Sequence, residues 1–183
     1  MILRLTAKLA RKLGMAPLPA LPRDQGMNPL LDWHAHLFTV PRKQYILATN
    51  TASLYSLVIP GRGITTERPF IQALGAGLQA FLVGQGHPPH AAAALLAPDG
   101  EAIFTKITDR RILGSMNDLI FQAKFMFEEQ QTPWDVSRNL NETPMSYLKY
   151  RAPRDAFQAL LRQAGHPDGP AQRTNNVIYL DTF

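Results

Sequence analysis

The chain has 183 residues, 45% of them apolar, with 19 Lys and Arg against 14 Asp and Glu and no cysteine. That length and apolar content suit a single domain over 1–183 that hides about two-thirds of its unfolded surface, and they exclude disorder as the main state. Without cysteine there are no disulfides, no thiolate nucleophile and none of the commonest zinc or iron–sulfur ligand sets, so any metal would fall to His, Asp or Glu.

The positive charge is concentrated early. Residues 1–63 hold Arg4, Lys8, Arg11, Lys12, Arg23, Arg42, Lys43 and Arg62 against only Asp24 and Asp32. A one-sided positive field attracts phosphates, nucleic acids or acidic proteins, and it also serves plain solubility. No run approaches the ~18 apolar residues of a membrane span, and the first residues lack the apolar block of a secretory signal, so a cytoplasmic protein without a membrane partner is expected.

In chain order, ILRLT predicts a short strand, with Thr6 capping a helix over AKLARKLG that stops at Gly14. Lys8, Arg11 and Lys12 face outward from it. MAPLPALPRDQGMNP is too rich in proline for a helix or a central strand and reads as an extended connector. From 32 to 60, WHAHLFTV, KQYILATN and SLYSLVIP are β-branched and aromatic segments separated by PR and TA, which predicts a three-strand antiparallel meander. YILA is apolar on both faces, so helices should cover the sheet on both sides.

Phe70, Leu74, Leu78, Phe81 and Leu82 recur at helical spacing after Thr65 or Thr66, and Gly75 and Gly77 inside that run suggest close packing on the sheet. HAAAALLA predicts a short helix, APDGE a turn and AIFTKIT a strand. TDRRILGSMNDLIFQAKFMFEEQ predicts the strongest helix, either unbroken or restarting at LGSMNDL with Ser115 as cap. Phe121 and Phe125 fall in its polar arc as an i, i+4 pair, to be covered by another segment of the chain or by a second copy in a homodimer. NETPMSYLKYRAP predicts a helical turn capped by Asn141, RDAFQALLRQAG a docking helix and NNVIYLDTF a strand. The expected architecture is α+β: a mostly antiparallel sheet built around the meander, with helices packed on it.

Chemistry has few places to sit. In an extended strand His34 and His36 point the same way, about 6.5 Å apart at ~3.3 Å per residue, so two neutral imidazoles could begin a divalent-metal site with Asp32, Glu142 or His90 as the third ligand. His34 also has the titration range of a general base, for which Arg42, Arg110 and Arg111 are available charge stabilisers. The plain alternative is a half-buried imidazole that holds strand pairing in place. HPPH reads as a pair of loop imidazoles, and GRG and GAG lack the strand, spacing and lysine of phosphate loops.

NPLLDWHAHLF, LYSLVIPGRG, LGSMNDLIFQAK and LNETPMSYLKYRAP resemble, in the same order, blocks of a bacterial family of small proteins described as a domain of unknown function. The resemblance covers nearly the whole chain and implies one bacterial, cytosolic domain without an assigned activity. Members of that family usually carry Asn at the position of His36, so the resemblance does not imply a metal site made from both imidazoles. Two functions follow from the residues: a binding or regulatory module that meets an acidic partner, nucleic acid or protein, through Lys8, Arg11 and Lys12; or a hydrolase or nuclease using His34 and Arg42, with a metal at His34 and His36.

Overall fold

Alternation along the strands sends two sets of side chains to opposite sides of one sheet, and the way the strands are joined decides which strands become neighbours. The computed structural model describes residues 1–21, 28–90, 95 and 102–165. The expected NNVIYLDTF strand, the APDGE turn and nearly all of the HAAAALLA helix lie outside those residues.

The strands are β1 (Ile2–Leu5), β2 (Asp32–Val40), β3 (Lys43–Asn50), β4 (Ser56–Pro60) and β5 (Ile103–Lys106), ordered β4-β3-β2-β1-β5 across one sheet. The expected meander is present: β2 pairs antiparallel with β3, and β3 with β4. The α+β class holds, but the sheet is mixed, because β1 runs parallel to both β2 and β5. Parallel neighbours need a long crossover. Helix α1 (Ala7–Lys12) and the connector after it supply one between β1 and β2. Thr6 caps α1 by accepting the Leu9 N–H, and Gly14 follows it at φ 68°, as the sequence leads one to expect.

The first face carries Leu3, Leu5, Trp33, Ala35, Leu37, Ile46, Ala48, Leu57 and Ile59. Leu9 of α1 and Leu13 after it, Phe70, Leu74 and Phe81 of α2 (Glu67–Gly84), and Phe157 and Leu161 of α5 (Pro153–Gln163) pack on it. A Cβ on Gly77 would sit 2.9 Å from Leu57 and 3.1 Å from Ile59, so the glycine lets α2 approach β4 closely. The second face carries Phe38, Tyr45, Leu47 and Val58 beneath α3 (Arg110–Glu128) and α4 (Pro133–Glu142).

Helix α3 is unbroken through Gly114 and Ser115, because Asp109 caps it earlier by accepting the N–H groups of Arg111 and Ile112, and Ser115 turns inward with Met116. Phe121 and Phe125 on its outer side are 77% and 60% exposed, so no described segment of the chain covers them.

The helical turn expected in NETPMSYLKYRAP forms at Ser146–Leu148 after Met145, but Asn141 does not cap it: Asn141 lies in the last turn of α4, which Thr132 caps. Its role is different. The Asn141 amide accepts the Ser56 N–H at 2.8 Å and donates to the Ser56 carbonyl at 2.7 Å, imitating a neighbouring strand, while the Ser137 hydroxyl accepts the Val58 N–H at 2.9 Å. The β4 edge is thereby occupied by helix side chains. At the other edge, Lys106 N–H donates to the Pro19 carbonyl, and Thr105 Oγ1 donates to Pro19 and accepts from Leu21, so residues 19–21 of the connector run along β5. Both edges are covered in ways that discourage strand addition. Replacing Asn141 by Ala strands a buried N–H and a buried C=O, and we expect a loss of about 2–4 kcal/mol in urea unfolding.

Candidate functional site

The strand register draws a polar row through the second face. Thr105, Arg4, His34, Thr49 and Ser56 are successive cross-strand partners from β5 to β4, and all five are buried. Polar side chains in such a place must find partners. Arg4 Nε donates to Asp32 Oδ1 at 2.8 Å and Arg4 Nη1 to the Leu21 carbonyl at 2.8 Å. His34 Nδ1 lies 2.9 Å from Thr51 Oγ1, and Thr49 Oγ1 lies 2.9 Å from Ser56 Oγ. Asn50 organises the end of β3: its Oδ1 accepts from Ala52, Ser53 and the Ser53 hydroxyl, which delays β4 to Ser56.

Over the middle of this row, at Arg4 and His34, lies a cavity of ≈ 430 Å³, lined by Arg4, His34, Thr51, Thr108, Asp109, Arg110 and Arg111. Arg4 and His34 form its buried floor, at 3% and 1% exposure, and the start of α3 forms its rim. The cavity therefore joins an imidazole to three guanidinium groups.

His36 follows on the same side of β2, and burial holds its pKa below the ordinary value near 6.5, helped by the positive charges of Lys8 and Lys124. No group of three or more His, Asp or Glu side chains stands within metal-binding reach among the described residues. Of the third ligands considered, Asp32 is taken by Arg4, Glu142 pairs with Arg154 at the end of α4, and His90 is exposed beyond α2. In HPPH, His87 is buried and His90 is not.

Arg42 is not brought to His34. From His34 to Val40 the strand already covers about 20 Å at ~3.3 Å per residue, and Arg42 lies beyond, in the two-residue turn between β2 and β3 at φ 64°. The arginines near His34 are Arg4, Arg110 and Arg111.

Arg42 instead joins a second concavity, of ≈ 960 Å³, lined with Lys12, Lys43 and Arg62 and without any carboxylate in its lining. Lys12 is steadied there by donating to Gln44 Oε1 at 2.8 Å. Lys8 and Arg11, the other cations of α1, are exposed outside that groove, Arg11 beside an apolar cleft that includes Lys106. At i, i+3 and i+4 the three cations share one side of α1, and of them Lys12 alone lines that groove.

Sequence reasoning missed Arg4 and Thr51 as neighbours of His34. A signal for Arg4 was present: one charged residue inside ILRL, a strand otherwise apolar on both faces, must be buried against a partner. Thr51 carried no comparable signal, since only the turn after β3 brings it to the imidazole.

A family model described as a domain of unknown function (DUF6933) matches residues 2–156. No curated protein and no solved structure matches the chain. Among the described residues no helix is long and apolar enough to cross a membrane.

Asp32→Ala should cost about 3–5 kcal/mol in denaturant unfolding by leaving Arg4 buried and uncompensated, whereas Arg4→Met with Asp32→Leu should recover most of that loss. The depressed His36 pKa means that the unfolded chain takes up a proton more readily than the fold. The resulting stability is present above the ordinary histidine value and is lost as pH falls through it and the lower folded value. His36→Asn should therefore flatten the fall in urea midpoint between about pH 7 and pH 5.

Proposed function

The chain belongs to the DUF6933 family, a domain of unknown function, and from its charge distribution we propose that it is a binding module for an acidic partner, namely the phosphate backbone of a nucleic acid. The observation that carries this reading is the groove at the hairpin end of the sheet, where Lys12, Arg42, Lys43 and Arg62 converge without a carboxylate in the lining. Like charges held together on rigid elements raise the local potential and capture polyanions by releasing counterions. The backbone sets where the four cations stand: Lys12 ends α1, Arg42 and Lys43 sit at the β2–β3 turn, and Arg62 follows β4.

The groove lining also shapes what it can recognise. Tyr45 lies in it but is buried and stacked on Phe127 at a ring separation of 4.1 Å, so it is not free to stack on a base. The contact is accordingly to phosphates and independent of sequence. Lys8 and Arg11, which lie outside the groove, contribute only through the long-range field.

Binding to a labelled duplex, measured over a range of salt, should give a slope of log K against log salt of about −3 to −4 for four phosphate contacts. Arg42→Gly removes a cation and also suits the φ of 64°; combined with Arg62→Ser it should reduce that slope by about 2. Reversing Lys8 and Arg11 to Glu should change it less. No salt-dependent association with duplex or single strand would defeat the reading, and binding to a polyglutamate peptide in place of both would make the partner an acidic protein.

A further inference from the structure

The outer side of α3 is built in a way that a single chain does not explain. Arg111, Gly114, Asp118, Phe121, Phe125 and Glu128 are all exposed and follow one another at steps of three and four, the period of about 3.5 residues that marks a seam between paired helices. The inner side is already occupied, because Ile112, Met116, Leu119, Ile120 and Ala123 are buried in the core of the second face.

Three features of the outer stripe are unfavourable in a monomer. The Phe121 and Phe125 rings stand 77% and 60% exposed, one turn apart. Gly114 lies inside the helix, where glycine costs stability relative to alanine, yet its φ is not positive and a Cβ there would meet nothing within 4 Å. No contact among the described residues requires a glycine at that position. The charges also run against the helix dipole: Arg110 and Arg111 open the helix with no acid in its first turn, and Glu128 ends it, with Glu129 as its cap and no base in its last turn. Arg111 meets the capping Asp109 only at 4.0 Å, with its side chain 81% exposed.

We propose that a second copy of α3, running the opposite way, covers this stripe in a homodimer. An interface about a two-fold axis must be complementary to itself, so a helix that is basic at its start and acidic at its end pairs with its own copy antiparallel. With the axis between Leu119 and Ile120, the six stripe residues pair among themselves. Arg111 faces the partner's Glu128. Gly114 faces the partner's Phe125, whose ring takes the space that a side chain at 114 would fill. The two Phe121 rings adjoin across the axis, and Asp118 lies within one turn of the partner's Lys124. Parallel pairing would instead set Arg111 against arginine and Glu128 against glutamate. A 19-residue helix against its copy is a small interface, so the dimer is weak and dissociates in the micromolar range. None of the stripe residues lines the groove of Lys12, Arg42, Lys43 and Arg62, and the proposal is independent of that groove.

The test is sedimentation of the full chain over a micromolar concentration series, where the expected result is a shift from one chain to two as concentration rises. Phe121→Ser with Phe125→Ser, both at exposed positions, should keep the chain monomeric throughout while its circular dichroism stays that of the parent. Gly114→Gln should raise the thermal midpoint of the dilute, monomeric chain, yet weaken the dimer about tenfold or more, because the partner's Phe125 loses its place. Arg111→Glu and Glu128→Arg each set like charges against one another and should each weaken association about tenfold; together they restore opposite charges in this register and should return the parent's association. A parent that stays monomeric would overturn the proposal, leaving the two rings to another protein or to the remaining residues of the chain. A dimer unchanged by loss of both rings, or by Gly114→Gln, would overturn it as well. Failure of the double reversal to rescue the single ones would overturn the antiparallel register.

Discussion

The Arg4–Asp32 ion pair is the constraint around which the rest is arranged. Moving both charges out of water is expensive, and their attraction repays it only when the geometry is good and the remaining polar atoms find partners. Here the pair spans β1 and β2 at 2.8 Å, and a second guanidinium nitrogen reaches the connector at Leu21. One side chain therefore joins the first strand, the meander and the crossover between them. It also fixes the register that puts Arg4 beside His34.

That register organises the second face as two halves. At the β1 and β5 side it is polar: Thr105, Arg4 and His34 bond to neighbouring residues or to the connector. Toward the hairpin it is apolar, with Phe38 stacked on Tyr45 and Tyr45 on Phe127 near the end of α3. The long helix crosses both halves, so its start borders the arginine cavity while its end closes the aromatic cluster. The two charged places differ for the same reason. One lies where a helix start borders a polar row, and the other where the hairpin leaves the cover of the helices.

Coverage of the edges follows a single logic. A sheet with β4 and β5 exposed would offer unpaired backbone to other chains. In each case a segment of non-strand structure supplies the missing partners: Asn141 and Ser137 from a helix, and Pro19 with Leu21 from the connector. The proline-rich stretch lacks donors at Pro17 and Pro19 and cannot extend the sheet itself, yet its carbonyls still accept. This suits it to lie along an edge without becoming another strand.

Local pattern determined the elements that depend on local forces. The meander, the Thr6 cap, the stop at Gly14, the close approach at Gly77 and the helical face of α2 were legible because alternation, capping and helical spacing are properties of neighbouring residues. LGSMNDL and NETPM misled for the complementary reason. Ser115 and Asn141 have the chemistry of caps, but Asp109 and Thr132 were better placed to start their helices, leaving Ser115 to face the core and Asn141 to bind a strand 85 positions away in sequence. The sequence also marked His34 as a candidate but not its company. Arg4, Thr51 and Arg110 meet it only because a parallel crossover lays β1 beside β2 and the chain returns through β5 to start α3 there. Contacts of that kind arise from the packing of distant segments, where burial and charge pairing across the whole sheet, and no repeating pattern along the chain, decide which side chains share a cavity.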